Sequence, residues 1–243
     1  MSKFITLIID SDKEPIYQVG REIWRRNAAK NNCLIYFLRA SPDITDDSIY
    51  IDGDTIYSKW DDSFLHRLND KTLKAYQYCI ATHEFDYILR SNLSSYYRLD
   101  ILLEYLNGMP TTCFYGGSIM DINLIVEGGT FFPLTYNSGS GFILSKDLVE
   151  LLLQKKNNLP IEMVIDDVWT GFTLLDIPRH EIARCDLTDF DDLTLDNILR
   201  IQQRIISAEK NNTFHFRIKN SGSLPRYILD ISVFSLLTQK FLT

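Results

Sequence analysis

The sequence predicts an α/β fold with a mainly parallel central sheet covered by helices on both faces. Short, almost purely apolar runs, Phe4 to Asp10 (FITLIID) and Cys33 to Leu38 (CLIYFL), alternate with stretches whose apolar residues recur at helical spacing. Strands buried on both faces read as continuous apolar runs of this kind. The chain has 243 residues, no internal repeat and no low-complexity segment or linker long enough to divide it. One domain spanning residues 1–243, large enough for a full core, is therefore expected.

The first strand ends on Asp10-Ser11-Asp12. Ligands of such sheets sit beyond the carboxyl ends of the strands, which nominates these three residues for a nucleotide base and ribose, with a solvated turn as the other reading. Pro15 opens a helix carrying Ile16, Val19, Ile23 and Trp24 on one face and ending near Asn31-Asn32. Asp43 to Asp62 is polar and acidic, broken by a short strand near Ile49 to Ile51. Its Asp52-Gly53-Asp54 is a D-x-D string of the kind found in metal–nucleotide-sugar sites. A glycine between two strand-like runs reads instead as turn chemistry. A helix from about Asp62 to Thr82 sets Phe64, Leu68, Thr72, Ala75 and Cys79 near one face and carries Lys71. Phe85 to Leu89 is a short central strand, with Arg90 to Ser95 at its carboxyl end. Asp100 to Leu106 is a helix stopped by Gly108 and Pro110, followed by strand-like runs at Cys113 to Gly117 and Gly129 to Leu134.

Tyr136 to Gly171 (YNSGSGFILSKDLVELLLQKKNNLPIEMVIDDVWTG) holds the densest pattern. Gly139 and Gly141 punctuate a turn where backbone can approach a ligand, and Ser138 and Ser140 offer hydroxyls. Ser145 caps a helix with Leu148, Val149, Leu152 and Leu153 on its apolar face. Asp166 and Asp167 open a second helix, where the dipole favours at least one carboxylate. Beyond it, Ile182 to Arg184 is a short strand, and Leu193 to Ala208 a helix burying Leu195, Ile198, Leu199, Ile205 and Ile206. Thr213 to Ile218 alternates as a strand with His215 and Arg217 on one face, and Leu224 to Leu242 is a final helix.

Tyr-x-Ser-Gly-x-Gly, an apolar run, Ser, a helix and then an acidic pair with Val-x-x-Gly resembles the inverting glycosyltransferases of family 31, the β-1,3-galactosyl-, N-acetylglucosaminyl- and fringe-type enzymes of GT-A fold. The resemblance implies transfer of a sugar from a nucleotide-sugar, a UDP-sugar foremost, to a hydroxyl of a glycan or glycoconjugate with inversion. Beside Asp10, Ser11 and Asp12 at the end of the first strand, it implies donor contacts from Lys71, Arg90, Ser91, Asn92, Ser94, His215 and Arg217, with Ser138, Gly139, Ser140 and Gly141 as the donor and acceptor loop; a surface lysine is the other reading of Lys71, and a satisfied core histidine that of His215. Where family members read Lys-Thr-Asp-Asp-Asp, this chain reads Arg90-Ser91-Asn92-Leu93-Ser94, keeping the frame through Tyr96, Asp100, Leu102 and Leu103 but losing the acidic triplet. Many relatives also carry a membrane anchor and a Cys where this chain has Asn137; the lack of both suggests a cytoplasmic enzyme.

An inverting transfer needs a base for the acceptor proton, and Asp166 or Asp167 supplies it, two adjacent like charges pushing one pKa upward. Asn92 and Ser94 are poor ligands for Mg²⁺ or Mn²⁺, which prefer charged oxygens, so no cofactor is expected to be required. Lys71, Arg90, Arg98, His215 and Arg217 are the candidate cations for the diphosphate in its place. Net charge is −7 with no basic run, against nucleic acid as a partner. No apolar run approaches a membrane span, and Cys33, Cys79, Cys113 and Cys185 lack C-x-x-C spacing and read as free thiols. Two other classes compete: a catalytically inactive nucleotide-sugar-binding partner protein, and a sugar nucleotidyltransferase, which usually has a glycine-rich basic loop after the first strand.

Overall fold

The computed structural model describes residues 3–11, 15–59, 67–125, 131–156 and 165–242. Phe4–Ile9 (β1) lies inside the main sheet, flanked in parallel by β2 (Leu34–Ala40) and by β5 (Tyr87–Asn92). Successive β1 side chains face opposite ways. Ile5 and Leu7 join a core with helices α2 (Arg67–Thr82), α4 (Lys146–Lys155) and α5 (Asp166–Thr173). Phe4 and Ile8 join the core formed with α1 (Ile16–Lys30) and α3 (Leu99–Asn107) on the other face. Two buried faces are why the strand is apolar throughout.

The main sheet continues from β2 through β4 (Thr55–Ser58) to β3 (Ile49–Asp52), an antiparallel hairpin. Its turn is the D-x-D string: Gly53 has φ of +55°, and Asp54 is ion-paired with Arg25. On the other side, β5 pairs antiparallel with β8 (Phe131–Ser145), β8 with β7 (Tyr115–Ile125), and β7 in parallel with β9 (Arg179–Glu181). A smaller sheet has the order β10 (Arg184–Leu187), β11 (His215–Ile218), β6 (Ser95–Tyr97). It packs with α6 (Leu195–Lys210) and α7 (Arg226–Phe241) around Ile201, Phe216 and Leu237.

Several sequence expectations change here. Arg90, Ser91 and Asn92 are strand and not loop, because β5 stays paired with β1 to Asn92 and with β8 to Ser91. The expected glycine turn at 138–141 is the middle of β8, a 15-residue strand. Ser145 sits at the α4 N-cap, yet its hydroxyl serves the Phe114 amide and the Asp147 carboxylate instead of a helix amide. On α6 the buried stripe is Ile201, Ile205 and Ala208, while Leu195, Leu199 and Ile206 face solvent.

Gly141 is explained by contact and not by a turn. A Cβ there would collide with the hydroxyl of Tyr97, itself wholly buried on β6. Gly141→Ala is therefore expected to destabilise the protein by about 1–3 kcal/mol, the range for overpacking a core. Adding Tyr97→Phe removes the clashing oxygen and should restore part of that loss in denaturant unfolding. Strict additivity of the two changes would contradict the contact.

Candidate functional site

A cleft of about 410 Å³, within the usual range for small-molecule sites, opens beyond the carboxyl ends of β1 and β5. Its walls include Ile9 at the end of β1 and Ser11 just after it, Tyr17 of α1, Leu68 of α2, Arg90 and Asn92 of β5, residues 138–140 of β8, the start of α5, and Arg217 on β11 with Lys219 just beyond it. Residues far apart in sequence meet there because β5 and β8 are neighbours and α5 begins against β8.

The acidic pair is divided by its contacts. Asp166 accepts two hydrogen bonds from Arg90, Nε to Oδ2 at 2.7 Å and Nη2 to Oδ1 at 2.6 Å, and a third from Thr72 Oγ1 at 2.8 Å. Both partners of this ion pair are buried. Asp167 has no cation bonded to it among the described residues; it accepts from the Gly139 amide at 2.6 Å and the Val168 amide at 2.9 Å. Burial, then the adjacent charge of Asp166, raises its pKa to about 6 against the pull of Arg90 and the two amides. The helix N-terminus favours the charged form here, but desolvation wins. Gly139 permits this arrangement: a Cβ on it would lie 2.6 Å from Asp167 Oδ2 and 3.1 Å from Arg90 Nη1.

The opposite side of the cleft is cationic. Arg217 donates to Asn92 Oδ1 at 2.5 Å. Among the described residues neither Arg217 nor Lys219 has a carboxylate within ion-pair distance. Arg184 is bonded to Asp186 and to the hydroxyls of Ser138 and Ser140. Arg226 is bonded to Asp230, Tyr17 and Ser94. Burial, then the charges of Arg184 and Arg226, brings the Arg217 pKa down to about 10. Partial burial and the charges of Arg217 and Arg226 lower that of Lys219.

The sequence candidates therefore separate. Ser11, Arg90, Asn92, Ser94, Ser138, Gly139, Ser140, Asp166, Asp167 and Arg217 line the cleft. Ser91 and Gly141 lie behind it; the Ser91 hydroxyl donates to the Ser140 carbonyl. Asp10 is turned inward to Arg21 at 2.7 Å and Arg39 at 3.5 Å, so its carboxylate does not face the cleft. Lys71 is 2% exposed, and Leu68 lines the cleft from α2 in its place. Arg98 lies over the ring of Phe241. His215 is wholly buried, its ring stacked on Tyr97 at 4.3 Å, and burial keeps its pKa well below the usual imidazole value. Asp12 falls outside the described residues. Sequence reasoning missed Tyr17, Arg184, Lys219 and Arg226. Only Lys219 had a local signal, its spacing of two from Arg217.

Residues 92 and 94 do not fit a divalent cation. Asn92 Oδ1 already accepts from the Ser94 amide, Ser95 Oγ and Arg217, and Ser94 Oγ accepts from Arg226. Among the described residues no three His, Cys, Asp or Glu side chains converge to hold a metal ion.

Among solved structures, a glycosyltransferase involved in the glycosylation of the major capsid of PBCV-1 superposes over 96% of this chain and 99% of its own, with a TM-score of 0.52 and 10% identity. The fold is GT-A-like. At that identity the likeness is one of fold. A 2-C-methyl-D-erythritol 4-phosphate cytidylyltransferase from Thermus thermophilus aligns over 87% of this chain and 99% of its own, with a TM-score of 0.39 and 13% identity. No protein-family model and no curated protein sequence matches the chain. Among the described residues, no helix is long and apolar enough to cross a membrane.

The two aspartates should respond differently to amidation. Asp166→Asn strips a buried arginine of its partner and is expected to cost about 3–5 kcal/mol. Asp167 has a raised folded-state pKa, so its stability contribution is present below the unfolded value near 4 and lost as pH rises through about 6. The amide nitrogen of Asp167→Asn would face either the Gly139 or the Val168 N–H at a pH-independent cost, but the stability of the variant relative to wild type should still rise by up to about 3 kcal/mol between pH 4 and pH 7.5. Urea unfolding of both variants across that range decides it, and a wild type–Asp167→Asn difference that does not change with pH would contradict the raised pKa.

Proposed function

We propose that the protein transfers a sugar from a nucleotide-sugar, a UDP-sugar foremost, to a hydroxyl of a glycan or glycoconjugate with inversion, using Asp167 as the base. The observation that carries the reading is the contrast within the acidic pair. Asp166 is committed to Arg90, while Asp167 lines the cleft with a pKa near the pH at which a base works best. A GT-A-like fold and a glycosyltransferase of similar fold support the substrate class.

In this reaction the acceptor oxygen attacks the anomeric carbon as its proton passes to Asp167. The anomeric carbon–oxygen bond to the diphosphate breaks, and the diphosphate leaves with the electron pair. Direct displacement needs one carboxylate base on the acceptor side. A double displacement would need a second as nucleophile, and the bidentate clamp on Asp166 disfavours that role, which supports inversion.

The test is release of nucleoside diphosphate from UDP-, GDP- and dTDP-sugars in the presence of glycan acceptors. In wild type, kcat/KM should rise tenfold per pH unit below about 6 and level off above it, because the base is active only when ionised. Asp167→Asn should lower kcat by about 10²–10⁴ with little change in donor affinity. A flat profile from pH 5 to 7, or near-normal turnover by the variant, would refute Asp167 as the base.

A further inference from the structure

We propose that Arg217 and Lys219 form a metal-free binding site for the diphosphate of a nucleotide. The inference rests on the nucleotide-sugar reading above and specifies how that substrate's charge is held. Both residues line the cleft, on or just after β11. Arg217 is partly buried, yet the only protein acceptor bonded to it among the described residues is the neutral oxygen of Asn92. Asp186, opposite Arg217 in the β10–β11 register, is turned to Arg184.

A partly buried guanidinium surrounded by other cations is an unfavourable arrangement on its own. Arg184 and Arg226 each have an aspartate, but they still act on Arg217 as like charges and make it easier to deprotonate. A doubly or triply charged anion entering the cleft relieves that repulsion. The guanidinium fork matches phosphate oxygens, and the lysine adds a mobile point charge at the rim. A divalent cation is disfavoured at the same place twice over: the positive side chains repel it, and the oxygens of Asn92 and Ser94 already accept from Arg217 and Arg226.

The site is testable without turnover, with inorganic pyrophosphate and UDP as probes in calorimetry. Both should bind wild type in EDTA, with less than a threefold change on adding millimolar Mg²⁺ or Mn²⁺. Arg217→Met and Lys219→Ala should each weaken pyrophosphate at least tenfold. Lys219 is exposed, so its variant keeps the fold even if Arg217→Met does not. Absence of pyrophosphate binding, a tenfold gain with either metal, or unchanged affinity in folded Lys219→Ala overturns the proposal. Metal-free pyrophosphate binding that depends on both residues, with no sugar transfer, would leave the site standing and remove the glycosyltransferase reading instead.

Discussion

The buried pair of Arg90 and Asp166 ties together the parts of the molecule that make the cleft. Removing both charges from water costs several kcal/mol per ion, and proximity alone does not offset it. Here the surroundings do: two parallel bonds join the pair, Thr72 of α2 and the Asp167 amide complete the Asp166 carboxylate, and Nη1 of Arg90 reaches the Gly139 carbonyl. One interaction thereby fixes β5, α2, β8 and the first turn of α5. Buried pairs are weak evidence for net stability, and the more useful consequence is positional: α5 can begin in only one place.

That constraint sets the chemistry of the second aspartate. With Arg90 spent on Asp166, Asp167 is buried beside a negative charge and receives only backbone amides. Across the cleft the imbalance is reversed, because Arg217 and Lys219 stand among cations without a carboxylate within ion-pair distance among the described residues. A chain of net charge −7 thus carries a locally cationic wall facing the Asp166–Asp167 pair.

Legibility in the sequence followed the range of the interactions. β1, α1 and β2 were legible because apolar runs and helical spacing are local, and the acidic pair was legible because a helix start is local. The 15-residue β8 was not: its glycines suggested a turn, whereas Gly139 is small for Asp167 and Arg90, and Gly141 for Tyr97. Those partners lie on α5, β5 and β6. For the same reason Arg184 and Arg226 carried no signal, since their meeting depends on the packing of the smaller sheet and α7. His215 was open to two readings, donor contact and core residue; its spacing from Arg217 places it on a face without revealing that Tyr97 covers it.

The amide at position 92 has a local physical reason. Asn92 accepts on Oδ1 from Arg217, Ser95 and the Ser94 amide, all donors there, and donates from Nδ2 to the Gly139 carbonyl at 3.0 Å. Only an amide serves both sides. A carboxylate would keep Arg217 but set a charged oxygen against the Gly139 carbonyl, close to where that residue's amide holds Asp167. Gly139 is therefore read from three sides: its carbonyl by Asn92 and Arg90, its amide by Asp167. A neutral residue at position 92 lets the segment that positions Asp167 and the segment that holds Arg217 share one backbone unit without an unpaired charge between them.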